Sequence, residues 1–220
     1  MVLAQHGVGL YLELPTIFIA AFFGAAYFAV RRVTVLAAFV LALIIGLGGG
    51  IWRDIILNIE PAAFQYWYFV PVALLGGTVG VLVRDRIDSI KPIPYVRNLA
   101  TAMLLLIGLE KAYSYDNPIL SVVLIGMITA IAGTVSASLL SRNDLFHHNG
   151  GAFTTLCLLV ASVVFLAAAA TGRIYLAEVA TLLSFVAMRH WGHKRGWTVP
   201  QLPWEPAIPE TPSGASGPAN

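Results

Sequence analysis

Apolar residues fill most of this chain in long unbroken runs, and polar or turn residues gather in the gaps between them, near 31–32, 60–65, 84–95, 115–118, 141–152 and 171–173. The runs show neither the strict alternation of a half-buried strand nor the one-sided stripe of a surface helix. Continuous apolarity over about 20 residues is the length that carries an α-helix across a hydrocarbon core of ~30 Å. The pattern therefore predicts seven helical spans, near 12–30, 33–59, 66–83, 96–114, 119–140, 153–170 and 174–188. The fourth and seventh are the least apolar, because Glu110, Lys111 and Glu178 intrude on them.

Composition sharpens this into an integral membrane protein, since 58% of residues are hydrophobic, mean hydropathy is +0.80 and only 11% are charged, against roughly 25% in soluble domains. A net charge of +2 is too small to indicate nucleic acid as a partner. Membrane lipids are the expected surroundings, and one transmembrane domain is expected over 1–192. Of the 13 Lys and Arg, an external N-terminus places Arg31, Arg32, Arg84, Arg86, Lys91, Arg97, Arg142, Arg189, Lys194 and Arg195 inside and leaves only Arg53, Lys111 and Arg173 elsewhere. That bias predicts an N-terminus outside and a C-terminus in the cytoplasm. The N-terminal residues show no basic start or cleavage site of a signal peptide. The 193–220 segment, with Pro200, Pro203, Pro206, Pro209, Pro212 and Pro218, reads as a disordered cytoplasmic tail. Cys157 is alone, so no intrachain disulfide is possible and a packed thiol is expected.

An offset of 84 residues superposes Gly24 on Gly108, Val35 on Ile119 and Gly49 on Gly133. With three spans in each copy, the second copy enters the membrane from the opposite face. The expected architecture is two inverted three-helix repeats, near 12–83 and 96–170, followed by a seventh helix.

The second span contains Gly48-Gly49-Gly50-Ile51-Trp52-Arg53-Asp54. Each glycine costs roughly 1 kcal/mol against alanine in a helix, so three together predict a kink or break. Such a break would free carbonyls and amides near the midplane, with Asp54 in the first turn of the second half-helix. Arg53 and Asp54 are about 100° apart around a helix, so each is expected to find its partner on another helix rather than neutralise its neighbour. The competing reading is a buried ion network that pins helices together, the glycines serving close packing.

At the equivalent place in the fifth span stand Gly133, a second expected kink, and Thr134, Ser136 and Ser138. Thr129, Gly133 and Ser136 recur at helical spacing as a small, hydroxylated stripe, suited to lining a pore or to packing. Glu110 and Lys111, near the outer end of the fourth span, suit a charged outer vestibule or snorkelling to the interface. Gly76, Gly77 and Gly80 on the third span suggest helix packing. His147 and His148 make a poor metal pair, because adjacent side chains diverge. The glycine run lacks the Lys-Ser/Thr of a phosphate loop, and no nucleophile–base set appears. Neither an enzyme, a cofactor nor a metal centre beyond permeating K⁺ or Na⁺ is expected.

The Gly-Gly-Gly-x-x-Arg-Asp run in the second of seven spans resembles the bacterial branch of the trimeric intracellular cation channels, over about 12–188. The resemblance implies a homotrimer in the bacterial inner membrane, with an hourglass pore for K⁺ and Na⁺ inside each protomer. It assigns Gly48, Gly49, Gly50 and Gly133 to the kinks and Arg53 and Asp54 to the polar network beside them. The neutral second half-site, with Thr134, Ala137 and Ser138, departs from the charged motif common in such sequences. A secondary transporter of a small solute such as an amino acid is the alternative, because inverted repeats with broken helices serve alternating access too. A membrane scaffold without flux is a third.

Overall fold

The computed structural model describes residues 9–29, 34–84, 93–141 and 149–197. The basic connections with Arg31, Arg32, Arg86, Lys91 and Arg142, the His147–His148 pair and the tail beyond 197 lie outside the described residues. Among the described residues the chain is all helical: α1 (Gly9–Ala29), α2 (Val35–Ile56), α3 (Ala62–Gln65), α4 (Phe69–Val83), α5 (Ile93–Ser114), α6 (Ile119–Ser141), α7 (Asn149–Ala169) and α8 (Ile174–Arg195). The count is eight rather than seven, because a single turn, α3, follows Pro61 between the second and third spans and is too short for an apolar pattern to reveal. By length and composition, α2 and the Ile119–Ser136 part of α6 are long and apolar enough to cross a membrane, whereas the apolar parts of α1, α4 and α7 are shorter. Charges within α5 and α8 explain why those two fail the same test.

The starts of α1 and α5, at 9 and 93, and of α2 and α6, at 35 and 119, are each separated by 84 residues. Two cores accompany this spacing. One, with Ile17, Ala21, Ala25, Ala42 and Phe69, belongs to α1, α2 and α4. The other, with Leu105, Leu109, Leu158, Phe165 and Phe185, belongs to α5, α6, α7 and α8. The largest link between these groups is α2 against α6. Large apolar side chains such as Leu36, Leu75, Ile119, Leu139 and Leu183 point outward, as a hydrocarbon surround requires.

Helix α2 starts and stops for local reasons. The Ala37 N–H donates to Thr34 Oγ1 at 3.3 Å, an N-cap. At the other end Asn58 takes φ 54°. The Ile59 N–H then reaches the Asp54 carbonyl and the Asn58 N–H the Ile55 carbonyl, both at 3.0 Å, which is the Schellman closure. Between these ends the helix is continuous.

The expected break at Gly48–Gly50 is therefore absent, and α6 likewise runs unbroken through Gly133. The two helices instead cross at their glycines. A methyl group at Gly48 would lie 3.1 Å from Gly133 Cα, and one at Gly133 would lie 2.7 Å from the Ile45 carbonyl oxygen. At Gly49 a methyl would collide with the Thr129 carbonyl oxygen. Backbone contact of this kind offsets the poor helix propensity of glycine, so the helix runs unbroken through the three glycines. The same device joins α4 to α1, where methyls at Gly76 and Gly80 would strike the carbonyl oxygens of Phe18 and Phe22.

Candidate functional site

Arg53 and Asp54 stand in the last turn of α2, about five residues beyond the crossing, or ~7 Å along the axis. This corrects the expectation that Asp54 stands in the first turn of a second half-helix. They are 2% and 1% exposed, in a protein where unpaired charge is costly. A second correction concerns their pairing: Arg53 Nε donates to Asp54 Oδ1 at 2.8 Å. A helical separation of 100° does not prevent this, because the arginine side chain is long enough to fold back on its neighbour. The remainder of the guanidinium then reaches α1, with Nη1 donating to Glu13 Oε1 at 2.9 Å.

Asp54 collects two further donors. Lys111 Nζ, from the last turn of α5, lies 2.9 Å from Oδ1, and the Ala62 N–H donates to Oδ2 at 3.0 Å. Ala62 opens α3, so its amide has no acceptor within its own short helix, and the aspartate supplies one. One carboxylate thus joins α2, α3 and α5 while its arginine joins α1. Glu110 is within electrostatic reach of Glu13 and of Glu178 on α8. Among the described residues, this end of the bundle carries six carboxylates, Glu13, Asp54, Glu60, Glu110, Asp116 and Glu178, against three cations, Arg53, Lys111 and Arg173. The opposite end carries Arg97 and, on α8, Arg189, Lys194 and Arg195; Arg189 Nε donates to Asn98 Oδ1 at 3.4 Å.

Beneath the network lies a cavity walled by α1 to α6. Glu13, Gly50, Arg53, Asp54, Leu104 and Thr129 are among its lining residues. About 380 Å³ separates its walls out to the mouth, of which some 30 Å³ admits the centre of a water-sized group. The walls are largely apolar with a few converging charges, the usual make-up of a ligand site or a narrow passage.

The remaining residues singled out from sequence distribute as follows. Thr129 is buried and lines the cavity, its hydroxyl donating to the Ile125 carbonyl at 2.7 Å. Ser136 accepts from Trp52 Nε1 at 3.3 Å, a pair spaced by the same 84 residues as Gly49 and Gly133. Thr134 is partly exposed on α6, and the side chain of Ser138 lies outside the described residues. Gly48, Gly49 and Gly133 form the crossing, whereas Gly50 faces the cavity. Lys111 is drawn into the network, and Glu110 stands at its edge. Sequence reasoning missed Glu13. Its signal was an isolated carboxylate near the outer end of the first span, at the depth where Arg53 needed a partner.

The Glycine transporter family model matches residues 10–85, which include the glycine run, Glu13, Arg53 and Asp54. Among solved structures, one described as the structural basis for conductance through TRIC cation channels shares 24% identity, covers 91% of this chain and 100% of its own, and has a TM-score of 0.78. The trimeric intracellular cation channel orthologue from Rhodobacter sphaeroides shares 20% identity, with 86% and 99% coverage and a TM-score of 0.73. A prokaryotic TRIC channel in 0.5 M KCl shares 18% identity, with 86% and 97% coverage and a TM-score of 0.68. The chain has the fold of these channels.

Proposed function

We propose that the protein is a membrane channel of the trimeric intracellular cation type, passing K⁺ and Na⁺ passively through each protomer of a homotrimer in the bacterial inner membrane. The observation that carries this reading is the cavity bounded by Glu13, Arg53, Asp54 and Thr129 in a fold shared with cation channels. Six carboxylates against three cations among the described residues give that end of the bundle a net negative character, which concentrates cations at a narrow entrance. Within the cavity, the Thr129 hydroxyl, and past it the hydroxylated face of α6, provide oxygen ligands as water is shed. The route narrows where α2 and α6 cross.

The spacing of 84 residues and the two cores support a pair of inverted repeats over 12–83 and 96–170, with α8 appended. The concentration of Arg and Lys at the other end supports a cytoplasmic location for that end, with the N-terminus outside and the 193–220 tail inside. The ion network has the role of holding α1, α2, α3 and α5 in register around the entrance.

One observation favours a second reading, a carrier for a small amino acid: the description of the family model that matches residues 10–85. Flux separates the two. Purified full-length protein in a planar bilayer is expected to give discrete unitary currents that reverse near the K⁺ equilibrium potential. Saturable glycine uptake into proteoliposomes without unitary currents would establish the carrier instead.

A further inference from the structure

The connection from α2 to α4 turns its aromatic side chains away from the protein. Phe64 is 73% exposed, Trp67 82% and Tyr66 40%, and from Pro61 to Val83 the chain carries no charged residue. The inner side of the same segment is packed. Ala62 and Ala63 lie against the first core and wall the cavity, and the Ala62 N–H donates to Asp54 Oδ2. The outer rings are mounted on this inner side: Tyr66 stacks on Tyr68 with centroids 5.5 Å apart, Tyr68 stacks on Phe69 at 5.1 Å, and Phe69 is buried. Trp67 meets Tyr68 edge-on at 6.1 Å. Phe64 and Trp67 therefore project from a braced base.

We propose that this segment is an interfacial anchor, covered by phospholipid, with Phe64 and Trp67 seated where the headgroups of the adjoining leaflet meet its acyl chains. The proposal rests on the reading of the chain as a membrane protein. The level fits. The segment follows directly on the end of α2, beside the exposed Asn58 and Glu60, and it is continuous on either side with outward apolar side chains, Ile55 and Ile56 on α2 and Val70 and Leu74 on α4. Rings with a broad apolar body and, in Trp and Tyr, a polar tip are favoured where hydrocarbon meets water. A docked protein fits less well. Phe64, Tyr66 and Trp67 at these exposures offer roughly a few hundred Å², short of the roughly 800 Å² that each partner buries in a stable interface. The anchor has a consequence for the entrance, because lipid then grips α3 on one side while the Asp54 carboxylate holds it on the other. Through α3 the bilayer keeps the Ala62 amide, and with it one wall of the cavity, in place.

The test uses full-length protein in phosphatidylcholine vesicles, with Trp52, Trp191, Trp197 and Trp204 replaced by phenylalanine so that Trp67 alone emits. Its emission should lie to the blue of tryptophan in water. Lipid brominated near the headgroup end of the acyl chain should quench it at least about twofold more than lipid brominated near the terminal methyl. Three results would each overturn the anchor: water-like emission indifferent to both lipids, blue-shifted emission indifferent to both, which would give the face to a second copy of the chain, or stronger quenching from the deep position. In the otherwise unaltered chain, Phe64→Ala should speed hydrogen exchange of the 62–66 amides in vesicles about tenfold, and unchanged exchange would overturn the hold on Ala62. Vesicle flotation is read in parallel. Protein that floats while Trp67 escapes quenching removes the anchor and leaves the membrane reading standing, whereas protein that does not float removes both.

Discussion

Helices α2 and α6 meet glycine to glycine at their middles, yet only α2 carries charge beyond the meeting point. Along α2 the crossing at Gly48 and Gly49 gives way within about one and a half turns to Arg53 and Asp54. Along α6 the matching positions beyond Gly133 hold Ser136 and a run of small residues. The contact itself is two-sided, for a methyl on either helix would press on the other's backbone. The chemistry is one-sided, because Asp54 and Arg53 draw on Glu13, Lys111 and Ala62, none of them from α6. Backbone fit and ion pairing therefore hold different helices: the first joins the two cores, and the second fixes the entrance to the cavity.

Substitutions separate these two kinds of contact. Asp54→Ala should have the largest effect, since it strips a shared acceptor from buried Arg53, from Lys111 and from the Ala62 amide. A loss of about 3–5 kcal/mol is expected, read as a lowered unfolding midpoint in detergent. Gly49→Ala comes next, at about 1–3 kcal/mol of destabilisation from forcing α6 away, visible in the same unfolding measurement with the ion network intact. One position later the sign should reverse. Gly50→Ala meets no backbone and gains helix propensity, so it should stabilise by roughly 0.5–1 kcal/mol; a loss comparable to that of Gly49→Ala would remove the distinction between the two glycines. Ser136→Ala, which deletes only the long, exposed bond from Trp52, should cost about 0.5 kcal/mol or less.

The helical class and the span positions were legible in the sequence because continuous apolarity has one physical meaning at that length. The α2–α6 relation was legible too, through the offset that pairs Gly49 with Gly133. What the chain did not disclose was whether the glycines part the helix or seat a neighbour against it. Propensity alone favours the former, and only the facing Thr129 carbonyl and Gly133 Cα decide for the latter. The network was half legible: the Arg53 and Asp54 charges announced a need for partners on other helices, but not that Glu13 and Lys111 would supply them. Their direct pairing was hidden because angular separation on a helix describes Cβ directions, while a long arginine is free to turn back. The α3 turn, four residues long, left no periodicity to find.

The proposed pathway through the cavity is tested most directly by Leu104→Cys, a wall residue contributed by α5, in a background where the buried Cys157 is replaced by alanine. A small cationic thiol reagent should modify it and reduce the unitary K⁺ current in planar bilayers. Complete labelling, confirmed by mass spectrometry, with the current unchanged would show that cations travel elsewhere.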